Sequence, residues 1–206
     1  MPVAWVKIKK TIPPLNNSLN VHAIRGKKRS KGSSSDISYG LTQPDINENI
    51  RFALTGTATV DKNNKHSFFY NNIEIDLEFR SIMVYIANEL KPGTCPYNAV
   101  YGHEMKHVEA YHNVLRYYGQ QLEKALNSSK IPSKENPISF NGKRKEFDNL
   151  CTRYNKEFVD VYKKNFRNKK TLQDIYNSMI INDRYIDTPL EYRRVKNSCP
   201  SRMWPY

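Results

Sequence analysis

No stretch of this sequence approaches the roughly 18 consecutive apolar residues that a membrane-spanning helix requires, and the mean hydropathy is −0.75. Paired cysteines are missing too. The three cysteines, Cys95, Cys151 and Cys199, form no CxxC pair, which speaks against a structural zinc knuckle. Acidic residues are few, 20 against 33 lysines and arginines. No histidine follows His112. The first ten residues, Met1 to Lys10, are interrupted by lysines where a signal peptide needs an apolar core, so none is expected here. An exported protein supplied without its signal would read the same. One disulfide with one free thiol fits an oxidising compartment, and three reduced thiols fit the cytosol. The sequence leaves both open.

What is present begins with charge. The formal net charge is +13 over 206 residues, which favours acidic partners: nucleic acid, an anionic surface or an acidic protein. The alternative is simply a well-solvated surface. The densest basic cluster, Arg25-Gly26-Lys27-Lys28-Arg29-Ser30-Lys31, lies in a segment rich in Ser, Gly and Asn. Residues 11–48 therefore read as a flexible basic loop. Aromatic content of 12 %, including 14 tyrosines, argues against wholesale disorder. The length fits one domain spanning residues 1–206 with a real core.

Along the chain, strand patterns come first. Residues 3–8 and 50–60 are rich in β-formers. Ile73-Glu74-Ile75-Asp76-Leu77-Glu78-Phe79 alternates apolar and charged residues strictly, as a half-buried strand does. Residues 82–86 make a further candidate, with 81–90 open to being partly helical. Lys91-Pro92-Gly93-Thr94-Cys95-Pro96 breaks the pattern. Helical spacing then predicts helices over about 98–126, 143–166 and 172–185, and a short one opened by Asp187-Thr188-Pro189-Leu190-Glu191. Strands followed by helices predict an α+β fold: a small N-terminal antiparallel or mixed sheet, one long helix, and further C-terminal helices.

The long helix carries His103-Glu104-Met105-Lys106-His107, an HExxH motif. On a helix, positions four apart stand one turn apart, so two imidazoles can share one metal ion. The glutamate after the first histidine reaches the same region without ligating, and can take a proton from a water activated by the metal. With His103 set at zero and about 100° per residue, His107 falls near 40° and Glu104 near 100°, within the apolar stripe of Val100, Tyr111, Val114, Leu115 and Leu122. The trio therefore faces the core, where unpaired polar groups are costly. A metal would supply the partner; a network bonded to backbone is the alternative. His112, near 180°, is placed on the wet face and set aside as a ligand.

With no later histidine, a third ligand must be Glu, Asp or Cys. That disfavours SprT-like proteases, whose third ligand is a later histidine. Downstream carboxylates include Glu146, Glu157, Asp160, Asp174, Asp183, Asp187 and Glu191. Glu191 is favoured because Pro189 enters its segment rigidly. Thr188-Pro189-Leu190-Glu191 is equally a good capping box, with Thr at the N-cap and Glu at N3, so the role of Glu191 stays open between ligand and cap. Tyr185 and Arg193 are candidate donors to a developing oxyanion.

The stretch Ile75 to Val108 resembles a group of bacterial zincin-like proteins that includes uncharacterised domains of the DUF922 type. The carrying residues are Ile75-Asp76-Leu77-Glu78-Phe79, Val84-Tyr85-Ile86-Ala87, Pro92-Gly93-Thr94-Cys95-Pro96-Tyr97 and the HExxH itself; Asp187-Thr188-Pro189-Leu190-Glu191-Tyr192 looks like that group's tail. The resemblance implies a zincin-like fold, with an edge strand beside the active-site helix. It also implies zinc peptidase activity, with His103 and His107 as ligands and Glu104 as base. The NExxSD motif of gluzincins is absent. The expectation is thus a monomeric zinc metalloendopeptidase holding Zn2+ through His103, His107 and Glu191, acting on a protein or peptide substrate of acidic character. The alternative is a basic protein that binds nucleic acid or an anionic surface without catalysis.

Overall fold

The computed structural model describes residues 4–29 and 39–205. The chain is a mixed α/β protein with five strands in one sheet and five α-helices among the described residues. None of those helices is long and apolar enough to cross a membrane. In order, the elements are β1 (Ala4–Ile8), β2 (Leu15–Asn16), α1 (Val21–Arg29), β3 (Gly40–Val60), β4 (His66–Ile86), α2 (Cys95–Asn127), β5 (Ile138–Phe140), α3 (Arg144–Asn165), α4 (Lys169–Ile186) and α5 (Pro189–Asn197). Every other strand pairs with β4: β1 and β2 parallel to it, β5 antiparallel, and β3 through the hairpin that precedes it. The two candidate strands at 73–79 and 82–86 are parts of one continuous β4, and 81–90 contains no helix.

Contacts divide the chain into two compact units. One gathers the chain up to Lys9 with Asn49–Glu78 and Leu115–Ile175. Its core forms where the alternating residues of β4 bury Ile73, Ile75 and Leu77. Gly119 of α2 lies against this sheet. A methyl there would stand 3.0 Å from Ile8, 3.1 Å from Val6 and 3.6 Å from Leu77, so the absent side chain lets helix and strand close up. The outer side of β1 is capped by side chains of α2: Val6 N donates to Glu123 Oε2 at 2.8 Å and Ala4 N to Asn127 Oδ1 at 3.0 Å. Capping of this kind removes the open donors that make an exposed edge prone to aggregation. Phe52 meets Phe158 and Tyr162 of α3 edge-on, at 4.9 and 5.6 Å between ring centres.

The second unit gathers Lys10–Glu48, Phe79–Val114 and the chain from Tyr176 onward. The expected loop over 11–48 is corrected here in its described part. Asn20 caps α1, its Oδ1 accepting from Ala23 N at 2.8 Å, and Val21 and Ile24 bury one side of the helix. Local composition hid this helix because its apolar face is only two residues wide. Pro44 and the polar residues around it likewise masked the first half of β3. Of the basic cluster, Ser30 and Lys31 lie outside the described residues.

The turn before α2 uses Gly93 in the left-handed region, φ 81°, where a side chain would be strained. Pro96 then falls in the first helical turn, where a missing N–H costs nothing. Cys95, at the start of α2, is joined to Cys199, just beyond α5, with 5.8 Å between their Cα atoms; Cys151 is free. Of the two cysteine states that the sequence left open, the structure has the one with a single bridge. The bridge closes a loop of 104 residues. Its reduction is expected to lower the unfolding free energy by about 2–5 kcal/mol. Denaturant midpoints with and without reductant measure this, and a Cys95→Ser/Cys199→Ser double variant should match the reduced protein. Coincident midpoints would show that the bridge contributes nothing.

Candidate metal centre

All the residues of this centre belong to the second unit. Helix α2 buries Val100, Glu104, His107, Val108, Tyr111, His112, Val114 and Leu115. The inward arc is therefore wider than the wheel suggested, and His112 is a correction. It is 2 % exposed and not on the wet face. Its Nε2 accepts from Thr11 N at 3.1 Å, and its ring lies 6.0 Å from that of Phe79. The segment before β2 crosses this side of α2 and covers it, which a single-helix wheel cannot register. His112 still takes no part in the centre, because its ring nitrogen serves backbone.

His103 and His107 point the same way, their Nε2 atoms 3.3 Å apart. The third group converging on them is Asp187. Its Oδ1 lies 3.0 Å from His103 Nε2 and 3.2 Å from His107 Nε2. These three residues form a group that could hold a metal ion. A first-row metal ion with bonds of about 2.1 Å sets adjacent ligand atoms roughly 3.0 Å apart in octahedral and roughly 3.4 Å apart in tetrahedral geometry. The three observed separations fall in that window.

Glu191, expected as the third ligand, stands outside this group. Thr188 caps α5, its Oγ1 accepting from Glu191 N at 3.1 Å, so the N-cap of the expected capping box is present, while Thr188 N bonds Ile186 O at 2.9 Å. The Glu191 carboxylate pairs with Lys106 and, at 3.6 Å, with Arg194. It comes within 3.8 Å of His103 Nδ1, the side of the ring away from the converging atoms. The reason is positional. Asp187 sits in the link between α4 and α5, its N–H still bonded to Asp183 O at 2.7 Å, so it lies one turn beyond Asp183. Glu191 is already inside the next helix. Asp183 and Asp187 are thus four apart, as His103 and His107 are, and carboxylates spaced one turn apart meet imidazoles spaced one turn apart. That matched spacing was present in the sequence and was the signal to read.

Asp183 accepts from His107 Nδ1 at 2.7 Å through Oδ1, and from the Tyr111 hydroxyl at 2.9 Å through Oδ2. Sequence reasoning missed the roles of both residues. Metal-ligating histidines nearly always donate their second ring N–H to such an acceptor, which fixes the tautomer that leaves Nε2 free. Electrostatics follow from these contacts. Burial opposes the charged form of His107, but hydrogen bonds to Asp183 and Asp187 and the charge of Glu104 outweigh it, and its pKa is pushed up to about 10. Burial, then Asp183, push the Tyr111 phenol upward, so it remains a donor. The hydrogen bond from Lys106 holds the Glu191 carboxyl below its usual range, against the opposing effect of burial.

Glu104 is 1 % exposed. The Thr42 hydroxyl lies 2.8 Å from its Oε2 and 3.1 Å from its backbone oxygen, and donates to them. Gly40 passes so close that a methyl group on it would overlap the Glu104 carboxylate. The start of β3 thus fixes this side chain on two sides. Of the two candidate oxyanion donors, Tyr185 is 80 % exposed and Arg193 is also exposed.

No family model matches this chain, and no curated protein or solved structure was found to match it.

Two outcomes test the geometry. Gly40→Ala is expected to destabilise the protein by about 1–3 kcal/mol through overpacking against Glu104. Gly102→Ala, where a methyl meets nothing within 4 Å, should be neutral or slightly stabilising, since Ala is the better helix former. Equal melting behaviour of the two variants would contradict the close approach. Separately, Asp183→Ala should weaken metal binding about 10–100-fold, measured by competition with a chromophoric chelator; unchanged affinity would remove Asp183 from the centre.

Proposed function

We propose that the protein is a zinc-dependent endopeptidase whose metal is held by His103, His107 and Asp187. One observation carries this reading: three ligand atoms from two separate elements converge at metal-ligand spacing beside a buried glutamate. The donor set of two imidazole nitrogens and one carboxylate oxygen is that of catalytic zinc sites, which keep a fourth position open. Asp183 holds the His107 proton on Nδ1, so a metal that displaces the Nε2 proton would find that lone pair directed inward, as ligation requires.

Zinc, when bound, supplies Lewis acidity that brings the pKa of a water molecule toward about 7. The chain's own residues handle the proton. Glu104 takes it at its carboxylate, which Thr42 and the bare backbone of Gly40 hold in one orientation. Glu104 then returns it to the amine leaving group. His103, His107 and Asp187 anchor the metal without exchanging protons with substrate. Tyr111, behind Asp183, keeps His107 from rotating. The Cys95–Cys199 bridge supports an oxidising compartment as the place of action, which suits an exported enzyme.

Elemental analysis of protein purified without added chelator is expected to find about one zinc per chain, and to find it lost from His107→Ala and Asp187→Ala. Glu104→Gln should retain the metal while cleavage of an unstructured protein substrate falls by about 10²–10⁴-fold. Undiminished cleavage by that variant, or absence of metal from the wild type, would overturn the reading.

A further inference from the structure

The two histidines of the centre are not equally served. His107 donates its Nδ1 proton to Asp183 at 2.7 Å. His103 Nδ1 is buried and has no hydrogen-bond partner among the described residues. Its side chain is 13 % exposed, so water has little access, and a buried ring nitrogen without a hydrogen-bond partner is an unfavourable arrangement. The acceptor at hand is Glu191, whose Oε1 lies 3.8 Å from Nδ1, less than an ångström beyond bonding distance. That oxygen is bound instead by Lys106, which follows His103 by three positions on α2 and is itself exposed.

We propose that Glu191 is a positioning residue for His103, accepting its Nδ1 proton when Nε2 ligates the metal. This rests on the metal-centre reading given above. Ligation through Nε2 places the ring's remaining proton on Nδ1, and only then does that atom need an acceptor. The carboxylate has to turn by less than an ångström to meet it. Its backbone need not move, because Thr188 and Pro189 fix the first turn of α5 independently of the Glu191 side chain. Lys106 can follow the carboxylate or release it to solvent. The centre then has a carboxylate behind each imidazole, Asp183 behind His107 and Glu191 behind His103. The glutamate that sequence reasoning placed on the metal acts one bond further out.

The test compares wild type, Glu191→Ala and Glu191→Gln, each stripped and titrated with Zn2+ alone against a chelator. Glu191→Ala is expected to bind zinc about 10–100-fold more weakly. Glu191→Gln, whose side-chain carbonyl can still accept, should recover most of that loss. Both variants keep the backbone cap, so their folding is preserved, and circular dichroism checks it. In zinc-loaded, 15N-labelled wild type, the His103 Nδ1 proton should appear downfield and exchange slowly, and in Glu191→Ala it should move upfield or exchange away. If wild type binds zinc while Glu191→Ala binds it equally well with the His103 resonance unchanged, the role of Glu191 is refuted and the metal centre stands. If wild type binds no zinc, the metal centre itself fails, and this proposal with it.

Discussion

Three part-buried donor atoms held 3.0–3.3 Å apart are the constraint around which the second unit is arranged. Two neutral imidazole nitrogens facing each other repel, and a carboxylate oxygen beside both adds an unneutralised charge. Such a group is stable only around a positive centre, either a proton or a metal ion. The upward displacement of the His107 pKa, against burial and through Asp183, Asp187 and Glu104, points the same way. A metal must therefore displace protons to enter, so proton and metal compete for the one position.

The surrounding contacts follow from the need to hold that group against its own repulsion. Helix α2 supplies the two imidazoles one turn apart, and the end of α4 supplies two carboxylates one turn apart. The link to α5 is too short to let Asp187 drift, since the α4 hydrogen-bonding pattern runs as far as its N–H and the Thr188 cap begins immediately after it. The disulfide ties the start of α2 to the chain just beyond α5. The histidine-bearing helix and the carboxylate-bearing segment are thus covalently joined in the folded protein, and the ordering of Asp187 toward the histidines is offset in advance by a bond remote from the chemistry.

How much of this the sequence disclosed depends on whether a feature is local. The HExxH register, the inward face of α2, the alternation in β4 and the cap at Thr188 are all written within a few residues, and periodicity or side-chain chemistry reveals them. The third carboxylate is not local. Asp187 and Glu191 lie one turn apart, and both can be argued into place from spacing alone. The choice is made by where α4 ends and α5 begins, which places one in the link and the other inside a helix already holding it with Lys106 and Arg194. His112 shows the same limit from the other side. A wheel treats a helix as having one buried face, while a segment from the N-terminal region covers a second. Thr42 and Gly40 act on Glu104 across 62 and more residues of sequence, and no pattern in their own neighbourhood marks them.

Net charge and local charge point in opposite directions here, and the difference bears on what the centre accepts. The chain carries +13, yet Glu104, Asp183, Asp187 and Glu191 gather around His103 and His107, with Lys106 and Arg194 as the nearest cations in the ion-pair pattern. Charges act over about 8–10 Å at physiological salt. Distant lysines and arginines can therefore steer an acidic partner toward the protein, but within the centre a phosphate would meet carboxylates. A cation is the ligand that such an inner shell would favour. A peptide would fit both scales: acidic flanking residues would respond to the outer field, and the amide presented to the inner shell is uncharged. For a nucleic acid they conflict, because phosphates recur along the whole backbone and no uncharged stretch can be presented to the inner shell. The basic composition of the chain and the acidic inner shell of this centre thus make different demands on a partner.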